Sequence, residues 1–518
     1  MQRRSFLKTA AATTCVGGLL QGWAAGAQGE ALSVQNSAPD ADASTSEGTV
    51  IYRPIGGRVG DVIPFFADGL FRIFHLYRAD GSHSGTTWHQ VTTRDFVHFT
   101  DAGEMLPLGT PADQDLSVAT GSVIKGNGQY HAFYTGYNSQ NIATRPEQGV
   151  MHAVSDDLVK WTKIPADTFY APQDRFERND WRDPFVFWNE EASEYWMLVA
   201  ARLNSGAHRR RGCTALCASK DLNHWEVRQP FWAPNLYFTH ECADVFRMGD
   251  WWYLIFSEFS ESNQTRYRMS RDLHGPWITP EVDTFDTRAL YAAKTASDGR
   301  RRYLFGWNPR RVGAKDDGGW EWGGRLVNHE LVQQADGTLT VRLPDSVRQA
   351  FSDAIMLTPE TVIGKARITS DHIRIDAPGT YGAVALAQMP QQCRVSGHIE
   401  FEDATRACGL LLRLGDDLDS GYSVRLEPQR QRVVFDRWPR PGDEPFVLGM
   451  ERPVKLRAGE PVSFDVIVDG TAVSIYVNDT IALSMRMYDH AHGRFAVFAQ
   501  EGTATFGGLG ISRMERES

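Results

Sequence analysis

The sequence predicts an all-β chain: a five-bladed β-propeller over residues 49–345, then a β-sandwich over residues 367–518. Three observations carry that prediction. A phrase of the form Ser/Thr-x-Asp-Leu/Phe-x-x-aromatic recurs at Thr93–Phe99, Ser155–Trp161 and Ser219–Trp225, and more loosely from Ser270 to Trp277. Its aspartates stand 62, 64 and 51 residues apart. Each copy is preceded by two apolar runs joined at Gly, Asn or Asp, the pattern of a hairpin. Beyond residue 367 short alternating strands continue, with no helical period. Self-similarity at such intervals marks repeat architectures, and four-stranded units led by hairpins make propeller blades.

The elements follow in order. Residues 1–27 form a basic start with Arg3-Arg4, an apolar stretch and the small-x-small site Ala25-Gly26-Ala27, which reads as a twin-arginine export signal and a periplasmic or secreted destination. Its removal takes away Arg3, Arg4 and Lys8 and no acid, deepening the formal net charge from −10 to −13. Residues 28–48 are a flexible leader rich in Ser, Ala, Asp and Gly. Hairpins then lie at 61–77, 121–134, 183–199, 241–255 and 290–307, one for each blade. Residues 346–366 read as a linker with a helical turn near Ser346–Ala350. The sandwich strands include Gly409–Leu414, Tyr422–Leu426, Val462–Val468 and Ser474–Asn478, with turns at Asp469-Gly470 and Asn478-Asp479.

Composition excludes several function classes. At 42% apolar and 23% charged residues the chain is no disordered polymer. Its acidic balance has the wrong sign for a general nucleic-acid binder, and the longest basic run, Arg209-Arg210-Arg211, reads as a solvated hairpin tip. No stretch of 18 apolar residues marks a membrane span. Five cysteines follow the signal, an odd number for a disulfide framework. Cys213 and Cys217, about 13 Å apart if extended, are beyond the reach of a bridge and read as packed small residues.

Chemistry is expected on the propeller axis, where equivalent positions of successive blades converge. Asp61, Asp183 and Glu241 stand at or just before the first strand of three blades, with Thr120-Gly121-Ser122 in that place in the second. Carboxyls crowded in one pocket repel, and the pKa of at least one rises. A proton-holding acid beside an ionised carboxylate is what glycosidic cleavage requires. Arg182 is placed to hold substrate hydroxyls. Trp88, Trp320 and Trp322 are candidates for stacking on a sugar face, the last two on a loop flanked by glycines, whereas Trp161 and Trp225 read as blade packing.

These residues carry a resemblance. Trp181-Arg182-Asp183-Pro184 resembles the Arg-Asp-Pro motif of glycoside hydrolase family 32, the invertase, levanase and inulinase group. His240-Glu241-Cys242-Ala243-Asp244-Val245-Phe246 is similar to its Glu-Cys-Pro-Asp-Leu-Phe segment. Trp307, Trp322-Gly323-Gly324 and His329-Glu330-Leu331 resemble its closing segments, and Gly121-Ser122 its Ser-Gly-Ser region. The resemblance extends to the second domain through Gly409–Arg413, Asp436-Arg437 and Tyr476-Val477-Asn478.

The resemblance implies a β-fructofuranoside substrate of the sucrose, fructo-oligosaccharide, inulin or levan type. It assigns Asp61 as nucleophile, Glu241 as acid/base and Asp183 as the residue that binds two sugar hydroxyls and stabilises the transition state; Arg182, Trp88, Ser122, Trp320 and Trp322 complete the site as candidate substrate-binding residues. Retention of configuration follows, with the two reacting carboxyls about 5–5.5 Å apart, and neither metal nor organic cofactor is called for. The first motif departs from the family, whose Trp-Met-Asn-Asp-Pro-Asn-Gly here reads Arg58-Val59-Gly60-Asp61-Val62-Ile63-Pro64, and Trp88-His89 lacks the family's intervening glycine. The pocket around the cleaved sugar is therefore remodelled. An inverting arabinofuranosidase or xylosidase resembling family 43, a fructosyl transferase with the same site, and a sugar-binding propeller without turnover are the alternatives. The sequence does not specify an oligomeric state.

Overall fold

The computed structural model describes residues 49–82, 84–440 and 450–515. The export signal and leader read at residues 1–48 lie outside them. Among the described residues the chain is all-β, with one short α-helix, Asp345–Ala350, and no helix long and apolar enough to cross a membrane.

Up to residue 342 the strands run in consecutive antiparallel groups. The first is Gly57–Ala67, Leu70–Ala79, Thr87–Thr93 and Phe99–Leu106. The groups that follow open with Ser117–Gly126, Phe176–Asn189, Glu241–Met248 and Tyr291–Ser297. These opening strands touch one another in sequence, and Tyr291–Ser297 also lies against Gly57–Ala67. The end of the region returns to its beginning, because Val59 pairs with Gly324 of the strand Trp320–Gln333.

The recurring Ser/Thr-x-Asp phrase is a turn with one hydrogen-bond scheme. Thr93 Oγ1, Ser155 Oγ and Ser219 Oγ accept from the backbone N–H three residues on, at 2.8, 2.9 and 2.9 Å. The Asp side chain then accepts from two further N–H groups, as Asp221 does from Asn223 and His224 at 2.9 Å each. Phe96, Leu158 and Leu222 follow at φ 62, 63 and 65°, a left-handed conformation that disfavours side chains. The capping bonds and the burial of these apolar side chains offset that cost. The looser copy has no such φ at Leu273. Trp161 packs edge-on against Phe74, and Trp225 against Phe133, each contact joining one strand group to another.

The second region is built around the long strand Arg494–Arg513, which pairs with His372–Gln388, Gln392–Phe401 and Ala407–Leu414. Alternate residues such as Val395, Leu410, Leu412, Val466, Ile475 and Val497 fill one buried cluster, each contributing roughly 1.5–3 kcal/mol. Residues 346–366, expected as a linker, are more than a connector. Asp353–Ile355 pairs with Arg494–Arg513, and Thr361–Ile363 with His372–Gln388, so apolar residues there join the sheet. Cys213, Cys217, Cys242, Cys393 and Cys408 are all free and buried.

Polar groups fasten the two regions together. Val50 and Ile51 both donate their N–H to Asp469 Oδ2 at 3.1 Å. Asp286 accepts from Ser484 N at 2.6 Å and lies 2.9 Å from His329, whose other ring nitrogen is 2.9 Å from the Tyr476 hydroxyl.

Candidate active site

Each opening strand carries a β-bulge at the same place. The register slips between Val59 and Val62, Val118 and Gly121, Arg182 and Phe185, Glu241 and Asp244, and Tyr291 and Lys294. Counting from the residue before the bulge, Glu241 stands first, Asp183 second and Asp61 third. The three acids are therefore staggered by one residue each, not placed at strictly equivalent positions as the repeat alone implied. A bulge sets two residues against one and re-aims the side chains beside it, and this lets staggered acids gather. The backbone there is strained, with Asp183, Cys242 and Ala292, all in the second position, at φ 58, 54 and 51°.

Asp61 receives two hydrogen bonds, from Thr120 Oγ1 at 2.5 Å and Trp307 Nε1 at 2.9 Å. Burial and the neighbouring charge of Asp183 raise its pKa, against those two donors and the ammonium of Lys294. Lys294 itself is buried and donates to Gly121 O, on another opening strand, at 2.5 Å. Glu241, about one-fifth exposed, accepts from Arg182 at 3.0 Å and from the Tyr291 hydroxyl at 2.6 Å. Its pKa is also raised, first by burial, with Arg182 opposing and Asp183 reinforcing. Asp183 is held by the Cys242 N–H at 3.0 Å, while its own N–H donates to Thr135 Oγ1 at 2.8 Å. Burial works against the charge of Arg182, but Glu241, Asp180 and Asp183 overcome it and keep the guanidinium protonated. It also donates to Asp180 at 2.8 Å, Thr239 at 3.2 Å and Gln148 at 3.5 Å.

Trp322 joins the acids. Its indole edge presses on Gly60, where an added Cβ would fall 2.2 Å from the ring, so the residue before Asp61 has no room for a side chain. The ring centre lies 6.1 Å from that of Trp307, which holds Asp61. Three expected substrate contacts are not brought there. Trp88 is fully buried, packs against Phe74 and donates to Ala119 O at 2.9 Å. The Ser122 hydroxyl is buried and accepts from Val186 N at 2.9 Å, joining adjacent strand groups. Trp320 stacks under Arg311 at 3.9 Å and packs against the core of the second region. Tyr291 and Lys294 were missed, and Thr120, read in the acids' place in the second repeat, was given no role. Each stands on an opening strand at or next to its bulge, and aligning the repeats on that point would have found them.

Residues 63–322 match the family model described as the glycosyl hydrolases family 32 N-terminal domain, and residues 366–513 match the family 32 C-terminal model. The chain is 23% identical to the raffinose invertase of Escherichia coli over 465 residues, covering 85% of this chain and 89% of that one. It is 27% identical to the sucrose-6-phosphate hydrolase of Vibrio alginolyticus over 209 residues, a match spanning 39% of this chain and 40% of that protein. In structure it is similar to fructan 1-exohydrolase IIa of Cichorium intybus, with a TM-score of 0.71 at 16% identity, covering 90% of this chain and 97% of that one.

Proposed function

The chain belongs to glycosyl hydrolase family 32 and is a glycosidase, and from that premise we propose that it cleaves β-fructofuranosides with retention, through a covalent glycosyl-enzyme. The observation that carries this reading is the contrast between two carboxyls of one pocket. Asp61 is held by two neutral donors, Thr120 and Trp307, while Glu241 is held by a cation and a phenol. Relatives named for raffinose, sucrose 6-phosphate and fructan support the substrate class.

Asp61, ionised, attacks the anomeric carbon as Glu241 passes its proton to the leaving oxygen. Glu241 is then a carboxylate, and Arg182 and Tyr291 are already in place to stabilise it. In the second step it takes a proton from water, and the water oxygen displaces Asp61. Asp183, fixed by the Cys242 N–H, lies close enough to both reacting acids for its charge to act on them and would stabilise positive charge developing on the sugar. Trp322 would wall the cleft beside Gly60. The fold carrying this site is proposed to be a five-bladed propeller with a C-terminal sandwich. The ring of contacts among the opening strands supports it. Export through a twin-arginine signal, to the periplasm or beyond, is part of the same proposal. The test is incubation with sucrose, inulin, levan and arabinofuranosides followed by product chromatography. Fructose release from at least one of the first three is expected, and release of arabinose alone would overturn the substrate class.

A further inference from the structure

A row of alternating charges leads away from the proposed acid/base. Arg182 Nη2 reaches Glu241 Oε1 at 3.0 Å, and Arg182 Nη1 donates to Asp180 Oδ1 at 2.8 Å. The other oxygen of Asp180 lies 3.5 Å from Nε of Arg202, on the strand Glu194–Leu203. Arg202 is fully buried and donates to Glu177 from Nε and Nη2 at 2.9 and 3.2 Å. Glu177 in turn accepts from Arg211 at 2.9 Å. Arg202 also fastens two loops, donating to Phe238 O at 2.6 Å and to His208 O at 2.9 Å. Its guanidinium carbon lies 3.5 Å from the centre of the Phe238 ring. Arg211, the inner end of the basic run read as a solvated tip, is therefore anchored, while Arg209 and Arg210 are exposed.

We propose that Asp180 and Arg202 are positioning residues of the acid/base: Asp180 aims the guanidinium of Arg182 and shares its charge, Arg202 anchors Asp180, and the row thereby sets the pH range in which Glu241 holds its proton. The inference rests on the reading of Glu241 as acid/base and extends it to residues that lie behind Arg182. The charge of Arg182 favours the ionised form of Glu241. A guanidinium facing Glu241 alone would draw the proton away before the leaving oxygen claims it. Asp180 divides that charge, and by engaging Nη1 it leaves Nη2 of the rigid fork directed at Glu241. Arg202, itself held by Glu177 and two backbone carbonyls, balances Asp180 and fixes where its carboxylate stands. The other charged and titratable groups around Glu241 stand outside the row. They are Asp183 beside Arg182, Asp61 and Tyr291 on other opening strands, and Lys294, which acts on Asp61 and Cys242.

The experiment follows the Glu241 carboxyl by pH-difference infrared spectroscopy, its band assigned by its loss in Glu241→Gln, alongside kcat and kcat/KM for sucrose, inulin and levan against pH. Asp180→Asn leaves the guanidinium to Glu241 and should move both the infrared titration and the alkaline limb down by roughly 0.5–1 pH unit. Asp180→Glu, which keeps the charge, should stay nearer the wild type. Arg202→Gln removes the opposite charge and should move both upward. Because Arg202 is buried, Glu177→Gln provides a second variant, expected to shift downward by less than Asp180→Asn does. With Arg182→Met as background, Asp180→Asn should move the infrared titration by less than half as much, since the two residues act as a unit. An unmoved titration in folded Asp180→Asn, shifts of one sign for Asp180→Asn and Arg202→Gln, an upward shift in Glu177→Gln, or a full shift in the Arg182→Met background overturns the inference. If the infrared shifts appear as stated and no fructofuranoside is turned over, the row stands and the fructofuranosidase reading falls. Turnover with the Glu241 titration unmoved in Asp180→Asn keeps that reading and overturns the row.

Discussion

Asp286, in the joint between the two regions, and Asp61, in the candidate active site, are both surrounded by protein, yet their pKa values move in opposite directions. At Asp286 burial pushes upward, but the hydrogen bond and charge of His329 and the Ser484 donors more than offset it, and the carboxyl falls below its ordinary range. At Asp61 burial and Asp183 prevail over Thr120, Trp307 and Lys294. Burial sets the cost, and the number and charge of the donors decide whether it is met. The joint is saturated with donors and holds the molecule together. In the candidate site burial and mutual repulsion of the carboxyls outweigh the donors, beside the left-handed backbone of Asp183, and groups perturbed in this way are the mark of functional sites.

The largest effect should come from removing the proton donor. Glu241→Ala is expected to lower turnover of sucrose-type substrates by roughly 10²–10⁴, with a thermal midpoint close to wild type. Substrates with good leaving groups should be spared in the first step, and azide should restore the second by forming a glycosyl azide. Near wild-type hydrolysis by this variant would remove Glu241 from the mechanism. Asp286→Ala reverses the pattern. It strands His329 in a buried joint and should cost roughly 3–5 kcal/mol in urea unfolding, while the folded fraction keeps its specific activity. Unfolding at the wild-type urea concentration would show that the joint does not depend on Asp286.

Acid stability sharpens the same contrast. The folded pKa of Asp286 lies below its unfolded value, so its contribution is present above about pH 4 and lost as pH falls through the folded value. Asp286→Asn should flatten that part of the stability profile. Ser122→Ala leaves the buried Val186 N–H without its acceptor and should cost roughly 1–3 kcal/mol, with kcat/KM unchanged. A fall in kcat/KM without loss of stability would return Ser122 to the substrate site.

The smallest effect concerns the limbs of the pH–rate profile. As the proposed nucleophile Asp61 must be ionised, so activity should be lost as pH falls, on a limb above the usual aspartate range. As the proposed acid Glu241 must be protonated, so activity should be lost as pH rises through its raised pKa. The Tyr291 hydroxyl favours the ionised form of Glu241, so Tyr291→Phe should move the alkaline limb to higher pH and leave the acid limb in place. Movement of the acid limb instead would exchange the two assignments.

Much of this was legible from repetition alone. The Ser/Thr-x-Asp turns are local chemistry written into short segments, and their hydrogen bonds recur as the phrase recurs. The acids were visible because three repeats place a carboxyl near the start of a hairpin. Their stagger was not, because a bulge adds a residue without disturbing the apolar alternation of the strand that follows. Tyr291 was hidden for the same reason. Ser122 was assigned from its resemblance to a motif position and Trp88 from the affinity of an indole for a sugar face, and neither says which way a side chain points. Trp88 turns into the core and Ser122 bonds the neighbouring group. Gly60 and Trp322 are complementary, since the space of one is filled by the other across more than 260 residues of sequence, and local pattern does not reveal such a pair.

The most direct test of retention through Asp61 is methanolysis. With sucrose or its preferred fructofuranoside in aqueous methanol, the methyl fructoside formed by the wild-type enzyme is isolated and its anomeric configuration read by NMR. A covalent intermediate on Asp61, opened from the face the leaving group vacated, gives the methyl β-fructofuranoside. The methyl α-fructofuranoside as sole product would mean a single displacement, with Asp61 no nucleophile and Glu241 no base for a second step.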